Sequence, residues 1–262
     1  MINKKKFVIV YVLFIMLILS SCNGGSQISD LAIVTAIGID REGDDIVLTC
    51  EVSNPLYNPE VDGVSSASKS VVFIHGKGKT LVEAIINISL DFDRELFFSH
   101  ANVLILGEDL AKEGIIKNLD YLLRAQEPRE DLKIVVAKGS KASEIMRVRG
   151  DLNLSVGLYI SNLLDNFDLT GKTINISLAE YYRYYYEKDN EPVIGLIEKE
   201  EIKETGARTE DEGPTKKVLN VAGGAVTRGD SLIGYFTPDE MFGFNFIVND
   251  IKKGVITFTT PG

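Results

Sequence analysis

Residues 102–137 read NVLILGEDLAKEGIIKNLDYLLRAQEPREDLKIVVA, and their succession of strand, helix and strand decides the fold class. NVLIL at 102–106 is a short unbroken apolar run, the pattern of a strand. Over 114–125, Ile115, Leu119, Leu122 and Leu123 recur at core spacing for a helix. LKIVVA at 132–137 is a strand again. Upstream, LAIVTAIGI at 31–39 is apolar at nearly every position, which suits a strand covered on both faces. Asp40 to Asp45, DREGDD, reads as a hairpin turn into a strand at 46–53. There Ile46, Leu48, Cys50 and Val52 share one face, so Cys50 reads as a buried, inert thiol. Residues 54–68 hold two prolines and several Ser and Gly and read as a loop, and SVVFIH at 70–75 as a third strand. Thr80 then starts a helix with Leu81, Ala84, Ile85 and Ile88 on one face and Glu83 as capping partner.

Downstream, helices are expected at 140–147 and 153–165. Asp189, Asn190 and Pro192 break the pattern, so a first domain is expected to span 22–190. A second, smaller one is expected over 191–262. It opens with a strand at 193–198, followed by a charge-rich loop or hairpin tip at 198–217. Two strands within 218–236, a short helix opened by Pro238 and a strand at 255–260 complete it. The chain stops on that last strand, which suggests that a further C-terminal segment is missing. Strands alternating with helices after an opening hairpin argue an α/β class (mixed α+β), with mixed sheets flanked by helices in successive domains.

The N-terminus carries a different signal. NKKK at 3–6 precedes an unbroken apolar run, FVIVYVLFIMLIL, at 7–19. That run is roughly 20 Å long as a helix, short of the ~30 Å hydrocarbon core, so 1–21 reads as a signal peptide rather than a permanent span. Leu19-Ser20-Ser21-Cys22 resembles a bacterial lipobox, with small residues at the scissile bond before the thiol that takes diacylglycerol. Covalent diacylglycerol and N-acyl lipid on Cys22 are therefore expected, and two or more acyl chains anchor stably where one does not. Asn23, Gly24, Gly25 and Ser26 read as a flexible tether. The chain is then expected on the outer face of a membrane, held by its lipid. With Cys22 acylated, Cys50 has no disulfide partner.

The net charge is −10 over 262 residues. Residues 1–21 hold three lysines and no acid, so residues 22–262 carry 25 basic and 38 acidic groups, net −13. That balance repels nucleic acid, which is excluded as a partner. Nor does any stretch carry a catalytic signature. VVFIHGKGKT at 71–80 imitates a phosphate-binding loop, but the position five before Gly78 is Phe73, inside a strand, and the loop is too short. His75 and His100 lie outside any metal spacing, so no metal site is expected. No GxSxG elbow occurs, and carboxylates on an acidic surface are mostly solvated. In the run Tyr181, Tyr182, Tyr184, Tyr185, Tyr186, helical spacing puts Tyr181 and Tyr185 on one face and Tyr182 and Tyr186 on another. Part of the run is expected to be buried in its own domain and part to meet a neighbour, either as an interdomain packing helix or as an intermolecular contact.

Several stretches in order resemble the Ger(x)C family, the lipoprotein C subunits of spore nutrient germinant receptors. They are DLAIVTAIGID at 30–40, GKGKTLVEAI at 76–85, RELFFSHANVLILGEDLAKEGI at 94–115, LDYLLRAQEPREDLKIVVAKGSKASEI at 119–145 and GGAVTRGDSLIGYFTPDE at 223–240. Family members carry Trp-Asp-Arg soon after the lipidated cysteine, where this chain has Asn23-Gly24-Gly25. They also extend about another hundred residues as a further domain. The resemblance implies a non-enzymatic subunit working beside two integral-membrane receptor subunits in the spore inner membrane, with a fold of successive mixed α/β domains. Arg94, Glu95, His100, Arg124, Glu127 and Arg129 fall in the matching stretches. Of these, Arg94, Glu95, His100, Arg124 and Arg129 are expected at partner contacts, together with Tyr181 and Tyr185. Arg124 and Arg129 flank the end of a helix and are expected to pair with local acids or with the partner. The alternative readings are a lipid-anchored solute-binding protein feeding a transporter, which needs an apolar pocket with converging polar groups, and a surface hydrolase using paired carboxylates.

Overall fold

The computed structural model describes residue 11 and residues 30–54, 70–124, 129–148, 155–187, 191–203 and 215–248. Cys22 and the signal segment, nearly all of the loop at 54–68, Glu127 and the strand expected at 255–260 lie outside the described residues. The described part from Ala32 onward forms one unit built on a single mixed sheet.

The sheet opens with a hairpin of β1 (Leu31–Glu42) and β2 (Asp45–Ser53), turned at Gly43, whose φ of 59° suits a residue without Cβ. β3 (Val71–Gly78) pairs antiparallel with β2 and forms one edge. α1 (Leu81–Asp91) follows, capped by Thr80, whose hydroxyl accepts the Glu83 N–H. The Glu83 carboxylate reaches back one residue further than a reciprocal box requires, to the Lys79 N–H at 2.7 Å. β4 (Glu95–Phe97), a 3-10 turn at Phe98–His100 and β5 (Val103–Gly107) come next, with β4 pairing to β1.

Two short helices, α2 (Glu108–Glu113) and α3 (Ile116–Arg124), lead to β6 (Lys133–Ala137). Then come α4 (Ala142–Ile145), α5 (Val156–Asp165), α6 (Phe167–Thr170) and α7 (Leu178–Tyr186). β7 (Val193–Lys203), β8 (Thr215–Arg228), β9 (Ser231–Phe236) and α8 (Pro238–Ile247) complete the described elements. The strand order is β3-β2-β1-β5-β6-β7-β8-β9. β1, β5, β6 and β7 run parallel in the centre, between antiparallel flanks.

Alternation along the central strands feeds two cores. Leu104, Leu106, Ile134 and Val136 point to one face, where they meet α1, α2, α3, α7 and α8. Val103, Ile105, Val135 and Ala137 point to the other, under α4 and α5. The mixed α/β class is the direct result. The break expected at residue 190 does not interrupt the sheet, because β7 pairs parallel with β6 at Val135↔Gly195 through Ala137↔Ile197. The charge-rich stretch is carried by hairpin arms, β7 running to Lys203 and β8 starting at Thr215. Among the described residues no helix is long and apolar enough to cross a membrane.

Candidate functional site

In an open sheet with parallel strands, ligands ordinarily sit beyond the carboxyl ends of those strands. That edge holds a cleft of about 340 Å³ lined by Asp40, Arg41, Glu108, Lys141 and Glu144. Its acids are already engaged by the fold. Asp40, 2% exposed, accepts the N–H groups of Ala142 at 2.7 Å and Ser143 at 3.0 Å, closing the start of α4. Glu108 accepts the Gly139 N–H at 2.7 Å and pairs with Lys112. Burial works against the Glu108 carboxylate, but Lys112 and the Gly139 N–H outweigh it and hold its pKa down to about 2. Arg41 is paired with Glu113 at 2.7 Å and Lys138 with Glu198 at 2.7 Å. These groups staple loops to the sheet end.

Cys50 is fully buried on the β2 face, and desolvation pushes its thiol far above the ordinary range, so it is inert as expected. The glycines of GKGKT are explained by packing. A Cβ at Gly76 would stand 2.1 Å from the Ala84 carbonyl oxygen, and one at Gly78 would stand 2.7 Å from the Ala84 nitrogen. Both let β3 lie directly against α1. Lys77 and Lys79 are drawn to Asp45 of the first hairpin, at 3.3 and 2.7 Å.

Among the described residues, one apolar surface left uncovered lies on α1. Its inner face buries Leu81, Ala84 and Ile88, as the periodicity predicts. Its outer face carries Val82, Ile86 and Leu90, which are 39%, 57% and 76% exposed. Beside that stripe, a groove of about 550 Å³ runs between α1, the 92–98 segment and α3, lined by Ile85, Ile86, Phe92, Leu96, Phe98 and Tyr121. Asp93, Arg94 and Glu95 stand at its mouth. No ion pair joins Asp91, Asp93, Arg94 or Glu95 to another described residue.

The residues expected at partner contacts divide accordingly. Arg94 and Glu95 come together in the groove. His100 is exposed on the following 3-10 turn, 5.9 Å from the Phe97 ring. Arg124 lies at the end of α3, held by Asp120 at 2.6 Å one helical turn back. Arg129 is apart from these, clamped on Asp131 by two hydrogen bonds of 2.8 and 2.7 Å. Both arginines thus pair with local acids. Tyr181 is fully buried and gives no surface to a neighbour. Its face of α7 is the one turned to the sheet, and Tyr185 beside it is half-buried. The exposed ring of the run is Tyr186, at 71%.

The model of the "Spore germination protein N-terminal domain" matches residues 25–199. The chain belongs to the Ger(x)C family of spore germination proteins. A second model, "Spore germination B3/GerAC like, C-terminal", matches residues 222–262. Spore germination protein KC of Bacillus subtilis (strain 168) is 26% identical over 261 residues, covering 97% of this chain and 64% of that protein. Putative spore germination protein YfkR of the same organism is 23% identical over 248 residues, covering 92% of this chain and 60% of that protein. The chain therefore spans less than two thirds of the length of these relatives. No solved structure matches.

In this Ger(x)C chain the resemblance stretches mix two roles. GKGKTLVEAI holds the two packing glycines and the α1 cap, whereas RELFF contributes the mouth of the groove. Val82, Ile86 and Leu90 are not among the residues expected from sequence at a partner contact, because the periodicity of α1 is read from its buried face. Their i, i+4, i+8 spacing was the available signal.

Proposed function

We propose that this chain is the lipid-anchored subunit of a spore nutrient-germinant receptor, acting in nutrient-triggered germination beside integral-membrane partner subunits. The observation that carries the reading is the germination-family match over 25–199, which begins three residues after the lipobox cysteine. Cys22 carries diacylglycerol and an N-acyl chain, and the polar tether after it hangs the folded body on the outer face of the spore inner membrane. Acyl chains contribute about 0.8 kcal/mol per buried methylene, ample for stable attachment. The net charge of −13 over residues 22–262 keeps the body from lying flat on anionic headgroups, so docking falls to the partner proteins. The subunit is non-enzymatic, and the acids at the sheet end serve the fold.

Deleting the chain from its spore-former tests this. The expected result is loss of the response to the nutrients that its receptor senses, restored by the wild-type chain but not by C22A, which leaves the membrane fraction. Normal germination to every nutrient in the deletion strain, with the wild-type chain recovered soluble, would overturn it.

A further inference from the structure

We infer that the α1–α3 groove is the docking site for a helical segment of an integral-membrane partner, one that presents aliphatic side chains between flanking Lys or Arg residues. The inference rests on the receptor reading and names the surface through which it works. A surface helix normally shows water a polar face, and a helix apolar on opposite faces is covered on both. α1 is apolar on both. Ile88 inside is 3% exposed, while Ile86 and Leu90 outside are 57% and 76% exposed. From Val82 to Leu90 the stripe is roughly 12 Å long, a little over two turns of a partner helix, and the adjacent groove has room for its anchoring side chains.

Charge selects the occupant. Asp93 and Glu95 stand at the groove with Arg94, and none of the three is in an ion pair with another described residue, although lysines elsewhere are paired with acids. A cationic flank on the partner would find these carboxylates unspent. The same rim repels an anionic bilayer. Two copies meeting face to face would set acid against acid. The segment at 23–29, NGGSQIS, has one aliphatic residue and so lacks the apolar pattern that would match the stripe.

The test places a photoreactive benzoylphenylalanine at Ile86 in the full-length chain, in spores, with a control at Leu158, which is exposed on α5 against the opposite face of the sheet. Illumination at position 86 is expected to join the chain to an integral-membrane subunit, within a peptide whose apolar residues are bracketed by Lys or Arg. Position 158 is expected to give no such product. The double variant D93K/E95K, exposed enough to leave the thermal midpoint unchanged, should reduce co-isolation of that subunit roughly tenfold. Adducts at 86 with lipid or with a second copy overturn the inference, as does co-isolation undiminished by I86E and by D93K/E95K. In those cases the receptor reading survives. Failure of the unsubstituted chain to co-isolate with any membrane subunit overturns both.

Discussion

Glu51 Oε1 accepts the backbone N–H of Val156 at 2.8 Å, joining the second strand to a helix 105 residues later. Its other oxygen accepts the Gly157 N–H at 3.1 Å and the Thr35 hydroxyl at 2.7 Å. With Ser155 accepting the Leu158 N–H, three of the four orphan donors at the start of α5 are satisfied. Thr35 can reach Glu51 because β1 carries one extra residue there, the register stepping from Val34↔Val52 to Ala36↔Glu51. An anion buried under a helix N-terminus, with both oxygens engaged, fixes α5 to the sheet.

Removing that carboxylate strands two buried N–H groups, while the Thr35 hydroxyl keeps the Glu51 carbonyl oxygen at 3.2 Å. E51A is expected to cost about 3 kcal/mol, and E51Q about half as much because an amide oxygen can still accept. Urea denaturation of the two variants beside the wild type checks both the size and the order.

Gly157 sits in a helix, where Ala is ordinarily better by about 1 kcal/mol. Here a Cβ would stand 2.1 Å from the Thr35 carbonyl oxygen, a backbone atom that the bulge holds in place. G157A is therefore expected to destabilise by about 2 kcal/mol or more, reversing the usual sign. A thermal midpoint at or above that of wild type would show that the helix can move away.

Glu108 gives a pH signature. Its pKa of about 2 lies below the ordinary 4.5, so the folded state prefers the ionised form. Its contribution to stability is fully present above pH 4.5 and is lost as the pH falls from there through about 2. Other depressed carboxylates, Glu42 beside Lys141 and Glu144 beside Lys199, lose theirs in acid too. The diagnostic is thus the difference between chains: the thermal midpoint of wild type should fall more steeply than that of E108Q between about pH 4.5 and pH 2.

Neighbouring isoleucines on α1 should behave as opposites. I88A empties a buried site and is expected to cost about 3 kcal/mol, whereas I86A is expected within about 0.5 kcal/mol of wild type. Equal costs in purified protein would contradict the outward placement of Ile86.

Local structure is legible where a local cause sets it. The Asp40–Asp45 turn at Gly43, the Thr80 cap and Pro238 at the start of α8 each depend on residues within a few positions. The buried strands announce themselves by composition. α2 is hidden because its six residues are too few for a period, and Glu108-Asp109 after a strand resembles an acidic strand end. The charge-rich arms of β7 and β8 look like loop in sequence because ladder hydrogen bonds, not apolar alternation, carry that hairpin outward. Nothing local foretells that Asp40 and Glu51 will find backbone donors a hundred residues on. Helical spacing groups Tyr181 with Tyr185 correctly, but only the packed sheet decides which tyrosines turn inward. The α1–α3 groove is likewise a product of tertiary packing.

The most direct test of the receptor reading is affinity isolation of the chain from detergent-solubilised spore inner membranes, with its companions and its own N-terminus identified by mass spectrometry. The account predicts stoichiometric multispanning proteins and a first residue, Cys22, bearing acyl chains. A soluble chain recovered alone, with Met1 intact and a free thiol at position 22, would contradict it.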